Sequence, residues 1–177
     1  AHPLPSFSAY GRTPNQPTSI DSVVLSATAD SIDSGLTKIE IWLDGTKVHE
    51  CTFAVVASGS CSKDVGLLSI TTHNVNFIAF DTWNQQFTQP MSFLVLTPPP
   101  TLSGIVPSLI AQNSPDTLLT ATGANFFANS YIDWGGIALT TTFVNASVAT
   151  ATVPASYLTT AADYNVTVVT PTPGGGT

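Results

Sequence analysis

His2, His49 and His73, with eleven carboxylates and two cysteines, are the side chains of this 177-residue chain with chemistry to offer. A nucleophile–histidine–acid triad needs three such groups meeting in space. His73, Asp81 and one of the many serines can be drawn that way, but no Gly-x-Ser-x-Gly elbow presents a serine. Histidines on loops or at the surface account for the same residues. Asp30 and Asp33, with Asp44 nearby, offer oxygens of the kind Ca²⁺ takes from loops. The D-x-[DN]-x-[DN]-G pattern is missing, and turn-forming aspartates explain them as well. Glycoside hydrolysis needs two carboxyl groups across a cleft. Glu40 and Glu50 fall on strands of a hairpin, where solvated side chains are expected. No convergent acid–base set emerges, so the reading is of a protein that is not an enzyme, with no cofactor and no metal.

Cys51 and Cys61 are spaced for two neighbouring strands joined by a hairpin-like loop. An even count in a secreted-looking chain favours a disulfide. The rival, a metal site, lacks a Cys or His cluster to complete it. Trp42, out of phase with Ile39, Ile41 and Leu43, is expected to face outward, and Trp83 sits in the loop "DTWNQQ". Such aromatics stack on sugars or anchor a partner, or else pack on a strand edge. Tyr131 is a further candidate for glycan contact.

The elements that position these residues are strands. In "SVVLSATA" Val23, Leu25, Ala27 and Ala29 share a face, and in "TKIEIWLDG" Ile39, Ile41 and Leu43 share one. Asp44-Gly45 is a type I′ hairpin turn, with "TKVHEC" returning from it. "NVNFIAFD" and "MSFLVL" are two more strands. After Leu96–Leu102, "LTPPPTL", the scheme recurs. "TLLTATG", "SYIDW", "IALTTTFV", "SVATATV" and "YNVTVV" are short strands, with Gly135-Gly136 between the second and third. The fold class is therefore all-β: two small immunoglobulin-like β-sandwich domains in tandem, joined by a proline-rich linker. The expected divisions are an extended arm at 1–14, a domain at 15–97, a linker at 98–101 and a second domain at 102–177.

Charge is scarce. Charged residues make up 8% of the chain, against roughly 25% in ordinary soluble domains. Arg12, Lys38, Lys47 and Lys63 are the only Lys and Arg, and the net charge is −7. No basic stripe neutralises phosphates, so nucleic acid is excluded as a partner. No apolar run reaches the roughly 18 residues that insertion in a bilayer needs. Ser and Thr fill the polar role, which suits a secreted or cell-surface protein or one that packs on copies of itself. The opening "AHPLPSF" has no initiator Met and no signal-peptide pattern, so any signal peptide is expected to be gone already.

Four pieces then combine: Thr122-Gly123 before Asn125-Phe126, the Trp134-Gly135-Gly136 turn, Ala151-Thr152-Val153-Pro154-Ala155, and Pro173 to Gly176. Together they resemble an IPT/TIG domain of bacterial surface proteins over 102–177. In that family the glycine turn leads into a last strand, which this sequence lacks. Residues 15–97 resemble bacterial Ig-like domains, through Val24 to Ala29, Ile39 to Val48 and Asn76 to Gln85. The resemblance implies stalks, adhesins, surface filaments or spacers beside extracellular enzymes. A structural or adhesive module is the first reading, and a carbohydrate-binding accessory region is the second. Partners are then other copies, neighbouring Ig-like domains or a polysaccharide. A sandwich without its last strand has an open acceptor edge near Tyr164, Val166 and Val168. Either the next residues fill it in cis, or the lead of another copy does, with Phe7 and Ala9 as the half-buried side chains of a donor strand.

Overall fold

A computed structural model describes residues 3–177. His2 and the first residue of the expected arm lie outside the described residues. The chain divides between Leu96 and Thr97 into two compact units. Each is a β-sandwich of two antiparallel sheets.

In the first unit β1 (Ser6–Thr13), β2 (Val23–Asp30) and β5 (Ser58–Gly66) form one sheet in the order β1-β2-β5. The other is β4-β3-β6-β7, from β3 (Leu36–Leu43), β4 (Thr46–Val56), β6 (Thr72–Asp81) and β7 (Gln86–Leu94). The alternation read from the sequence decides what is inside. Val23, Leu25, Ala27 and Ala29 of β2 meet Ile39 and Ile41 of β3 and Val75, Phe77 and Ala79 of β6, all buried. Each large apolar side chain buried this way is worth about 1.5–3 kcal/mol. Asp44 and Gly45 have φ of 49° and 80°, the type I′ turn that matches strand twist between β3 and β4.

Three expectations need correction here. β4 and β5 do not form a hairpin: Val55 takes a positive φ of 54°, and the chain passes from one sheet to the other at Ala57. The lead is not a free arm. Ser6–Thr13 pairs with β2, and a bulge between Phe7 and Ala9 breaks its alternation. Phe7 packs on the core, its ring 6.2 Å from Phe77, whereas Ala9 is exposed. The strand suggested as a donor to another copy thus covers its own unit. The prolines of 98–101 are not a detached spacer either. Thr97 donates from both N–H and Oγ1 to the carbonyl of Pro173, and Asn125 Nδ2 donates to that of Pro99.

The second unit pairs a sheet β12-β13-β9-β8 with a smaller β11-β10-β14. Its strands are β8 (Thr101–Val106), β9 (Thr117–Ala124), β10 (Tyr131–Trp134), β11 (Ile137–Ala138), β12 (Thr141–Asn145), β13 (Val148–Val153) and β14 (Val166–Val169). Leu119, Ala121, Ile132, Trp134, Ala149, Ala151, Val153 and Val168 fill the interior. "IALTTTFV", expected as one strand, is two strands in different sheets. Thr141 makes the crossing: its Oγ1 accepts from Ile132 N–H and donates to the Leu139 carbonyl. Beyond β14 the chain turns back, and Thr170 and Gly176 exchange both backbone hydrogen bonds. Gly174 forms a parallel bridge with Thr97.

The Thr122-Gly123…Asn125-Phe126 piece has a steric cause. A Cβ on Gly123 would lie 1.9 Å from the Thr101 carbonyl oxygen and 2.8 Å from the Phe126 ring. Asn125 adopts φ 60°, which turns Phe126 into the core. Gly123→Ala must push β8 off β9, so it should destabilise the second unit by roughly 1–3 kcal/mol or more. Urea unfolding followed by circular dichroism checks this; an unchanged midpoint would contradict it.

Candidate functional site

The disulfide forms between Cys51 on β4 and Cys61 on β5, with Cα atoms 5.7 Å apart. Because those strands belong to opposite sheets, the bond is a clasp across one side of the sandwich. Cys51 pairs with Ile39 and His49 pairs with Ile41, so both point to the side that the isoleucines bury. The imidazole of His49 and the two sulfurs have their ligand atoms all within 4.8 Å of one another. Sequence reasoning missed this grouping. The signal was the His-x-Cys spacing on a strand, which puts both side chains on one face.

His73 does not face Asp81. Its Nδ1 lies 2.6 Å from Asp44 Oδ2, and its Nε2 lies 3.0 Å from the Ser69 carbonyl. Asp44 Oδ1 accepts from Asn74 N–H. Both ring nitrogens are thereby committed to tying the β3–β4 turn to the start of β6. Burial opposes charge on His73, but the bonds to Asp44 and Ser69 and the charge of Asp44 outweigh it, and the pKa is raised above 6.5. Asp44 is lowered below 3.8, first by the Asn74 N–H and then by His73.

Asp81 is buried and organises a loop. Its Oδ2 accepts from Ser34 Oγ, and its Oδ1 accepts from the N–H groups of Trp83 and Gln85. No triad is assembled from His73, Asp81 and a serine. Asp30 and Asp44 likewise serve separate ends. Hydrogen bonds from Ser58 and Ser8 lower the pKa of Asp30, while Asp44 serves His73. Among the described residues His49, Cys51 and Cys61 bring ligand-type atoms together, the two sulfurs being joined in the disulfide.

Of the two glutamates expected as solvated strand residues, Glu50 is exposed but Glu40 is buried, and the pair belongs to a charge network. Glu40 and Glu50 stand directly opposite each other on β3 and β4. Lys38 Nζ is 2.8 Å from Glu40 and 3.7 Å from Glu50; Lys47 Nζ is 3.4 Å and 2.8 Å from them. Trp42 Nε1 donates to Glu40, and Lys38 lies over the Phe80 ring at 4.2 Å. Glu40 is buried, 6% exposed. Desolvation raises its pKa, but the bonds from Lys38 and Trp42 and the charges of Lys38 and Lys47 bring it to about 2. Both carboxylates are therefore neutralised and held, with no cleft between them.

Of the aromatics, Trp42 is outward yet pinned to Glu40, Trp83 is 50% exposed on the loop that Asp81 holds, and Tyr131 is half-buried in β10. On β14, Val168 is buried and Val166 half-buried; Tyr164, just before it, stacks on Trp134 at 4.7 Å. β14 pairs with β10 on one side, and no described strand pairs along its other side.

Residues 100–177 match the IPT/TIG domain family, where the sequence motifs had placed the resemblance. No curated protein matches the chain. Similar solved structures include dimeric latent PorU from Porphyromonas gingivalis, at 10% identity over 94% of this chain and TM-score 0.42. The fibronectin(III)-like modules of Clostridium thermocellum CbhA share 12% identity over 94%, at 0.36. SGBP-B of the Bacteroides ovatus mixed-linkage glucan utilization locus, in complex with a mixed-linkage heptasaccharide, shares 16% over 96%, also at 0.36. The chain spans 17%, 84% and 44% of those chains respectively. Likeness this distant carries no functional argument.

The charge pairs set the pH response of the first unit. The stability that His73 adds is whole below about pH 6.5 and is lost as pH rises through its raised pKa. That of Asp44 is whole above 3.8 and is lost as pH falls through its lowered one. Urea midpoints should fall between pH 6 and 8, whereas His73→Gln should be flat there; equal slopes would refute the assignment. Glu40 acts at the acid end. Its shift from 4.5 to about 2 corresponds to at most about 3 kcal/mol, because both lysines stay partly exposed and screened. Glu40→Gln should lose this contribution at neutral pH and should make the decline between pH 4.5 and 2 shallower than in wild type, leaving the part that Asp44 sets.

Proposed function

We propose that the chain is a non-catalytic structural or adhesive module of an extracellular bacterial assembly, a surface filament subunit or a stalk segment. The observation that carries this reading is where the reactive groups are used. His73, Asp44, Asp81, Glu40 and Glu50 are each bound into a turn, a loop or a cross-strand pair of the frame. Groups held that way stabilise a shape and are not placed to turn over a substrate. The cross-sheet disulfide supports the same reading, as a link that oxidising surroundings permit. No helix of the described residues is long and apolar enough to cross a membrane.

Contact with another copy or with a neighbouring Ig-like domain fits the outer edge of β14, near Tyr164, Val166 and Val168. Unpaired N–H and C=O groups there offer a template to an added strand. A second reading, a carbohydrate-binding accessory region, is favoured by Trp83. Its backbone N–H is fixed by Asp81 while half of the residue stays exposed.

The two readings part in a pair of measurements. Under the first, mass by light scattering rises with protein concentration, or the protein adheres to cells, and Trp83→Ala changes neither. Under the second, the chain is retained on an immobilised polysaccharide and Trp83→Ala abolishes retention. Turnover of ester, peptide or glycoside substrates that is lost in His73→Gln or Glu40→Gln would overturn both.

A further inference from the structure

The clasp residues have a second chemistry. We propose that His49, Cys51 and Cys61 form a binding site for a thiophilic metal ion, Zn²⁺ or Cu⁺, when the disulfide is open. Thiolate and imidazole are the ligand pair such ions select, and the structure brings one imidazole and two sulfurs together within 4.8 Å. A tetrahedral site with metal–sulfur bonds of about 2.3 Å holds its ligand atoms about 3.5–3.8 Å apart. Parting the sulfurs between Cα atoms 5.7 Å apart would bring them toward that spacing, and the imidazole starts within 4.8 Å of both.

The strand geometry orients the three groups. His49 and Cys51 are two residues apart on β4 and share its inner side. Cys61 comes from β5 in the facing sheet and is 2% exposed. His49 and Cys51 are half-buried, so the group lies at the flank of the sandwich with a way in for an ion. The ion would join β4 to β5 as the covalent bond does, and the two sheets would keep their link in either redox state.

The chemistry balances as follows. A thiol or phosphine reductant supplies two electrons, two protons are taken up, and the sulfur–sulfur bond becomes two thiols. The ion then displaces both thiol protons to solvent and takes the neutral nitrogen of His49, with a water molecule completing four-coordination. A disulfide oxidant such as oxidised glutathione, taking the two electrons and two protons to become two thiols, would convert the thiolates back to the disulfide and release the ion.

The test uses the full chain, reduced by a phosphine, desalted under argon and titrated with Co²⁺ as a spectroscopic stand-in for Zn²⁺. The expected result is one ion per chain, with a thiolate-to-cobalt charge-transfer band and the visible bands of a tetrahedral site. His49→Ala should weaken binding by more than about tenfold, the loss that follows even removal of an outer partner. Cys51→Ser should abolish the charge-transfer band. As a second readout, Zn²⁺ should slow re-formation of the disulfide by oxidised glutathione in the wild type and not in His49→Ala. Absence of the charge-transfer band overturns the proposal, and so does equal affinity in His49→Ala. A reduced chain that is unfolded by circular dichroism and stays so with Co²⁺ overturns it too, because no cluster then exists.

Discussion

Contact between two apolar sheet faces is the interaction on which the rest of each unit depends. It is strong and non-directional. In the first unit the faces are set by the two-residue period of β2, β3 and β6, whose inward side chains are buried almost completely. Backbone ladder hydrogen bonds run within sheets and do not fix one sheet against the other. The task of holding the layers in place therefore falls to what lies at their margins. Cys51–Cys61 closes one flank, Phe7 covers part of the core from β1, and Thr141 steers the crossing between layers in the second unit.

The few charges follow the same logic. Both glutamates of the chain and two of its four Lys and Arg residues meet on the outer surface of one sheet. Like charges directly across two strands would repel; two ammonium groups set between them turn the pair into a lattice of four. An Arg–aromatic contact, Arg12 over Phe93 at 4.8 Å, uses a third cation to cover the core. A surface so poor in charge is left to hydroxyls. Thr28 and Ser60 are bonded at 2.9 Å and Ser22, just before β2, donates to Asp64 on β5 at 2.6 Å, so these ties need no ion pair.

Local signals were legible in the sequence and layer assignments were not. The buried faces of β2 and β3 and the Asp44-Gly45 turn depend on residues close in sequence, and each was readable; the corner at Gly123 was readable as a motif, though its steric cause, the Thr101 carbonyl, lies on the neighbouring strand. Which sheet a strand joins depends on distant partners. "IALTTTFV" has one continuous β pattern yet serves two layers, and β4 runs into β5 with only Ala57 between them. β1 was readable as a strand but not its partner: the surrounding prolines suggested a detached arm, and the bulge between Phe7 and Ala9, which puts the two on different sides, has no local signal. Glu40 is a case of charge deceiving. A glutamate on the outer side of a strand reads as solvated, but Lys38 and Trp42 from its own strand and Lys47 from across the hairpin bond to its carboxylate, an arrangement of side chains that alternation does not reveal. His49 was overlooked as one more surface histidine, because its significance lies in a cysteine twelve residues away on the facing sheet.

The bridge between Thr97 and Gly174 has a mechanical meaning. It joins the first residue of the second unit to a residue of that unit's last turn, and the two segments run parallel. Tension applied at both ends of that unit pulls parallel segments in opposite senses. The bonds of Thr97 to Pro173 and of Gly175 to Thr97 then lie across the load and must slide and fail together, not open one at a time. That is the arrangement of a shear clamp, in which a few weak bonds resist force collectively. The sandwich behind them is shielded from the pull for as long as they hold.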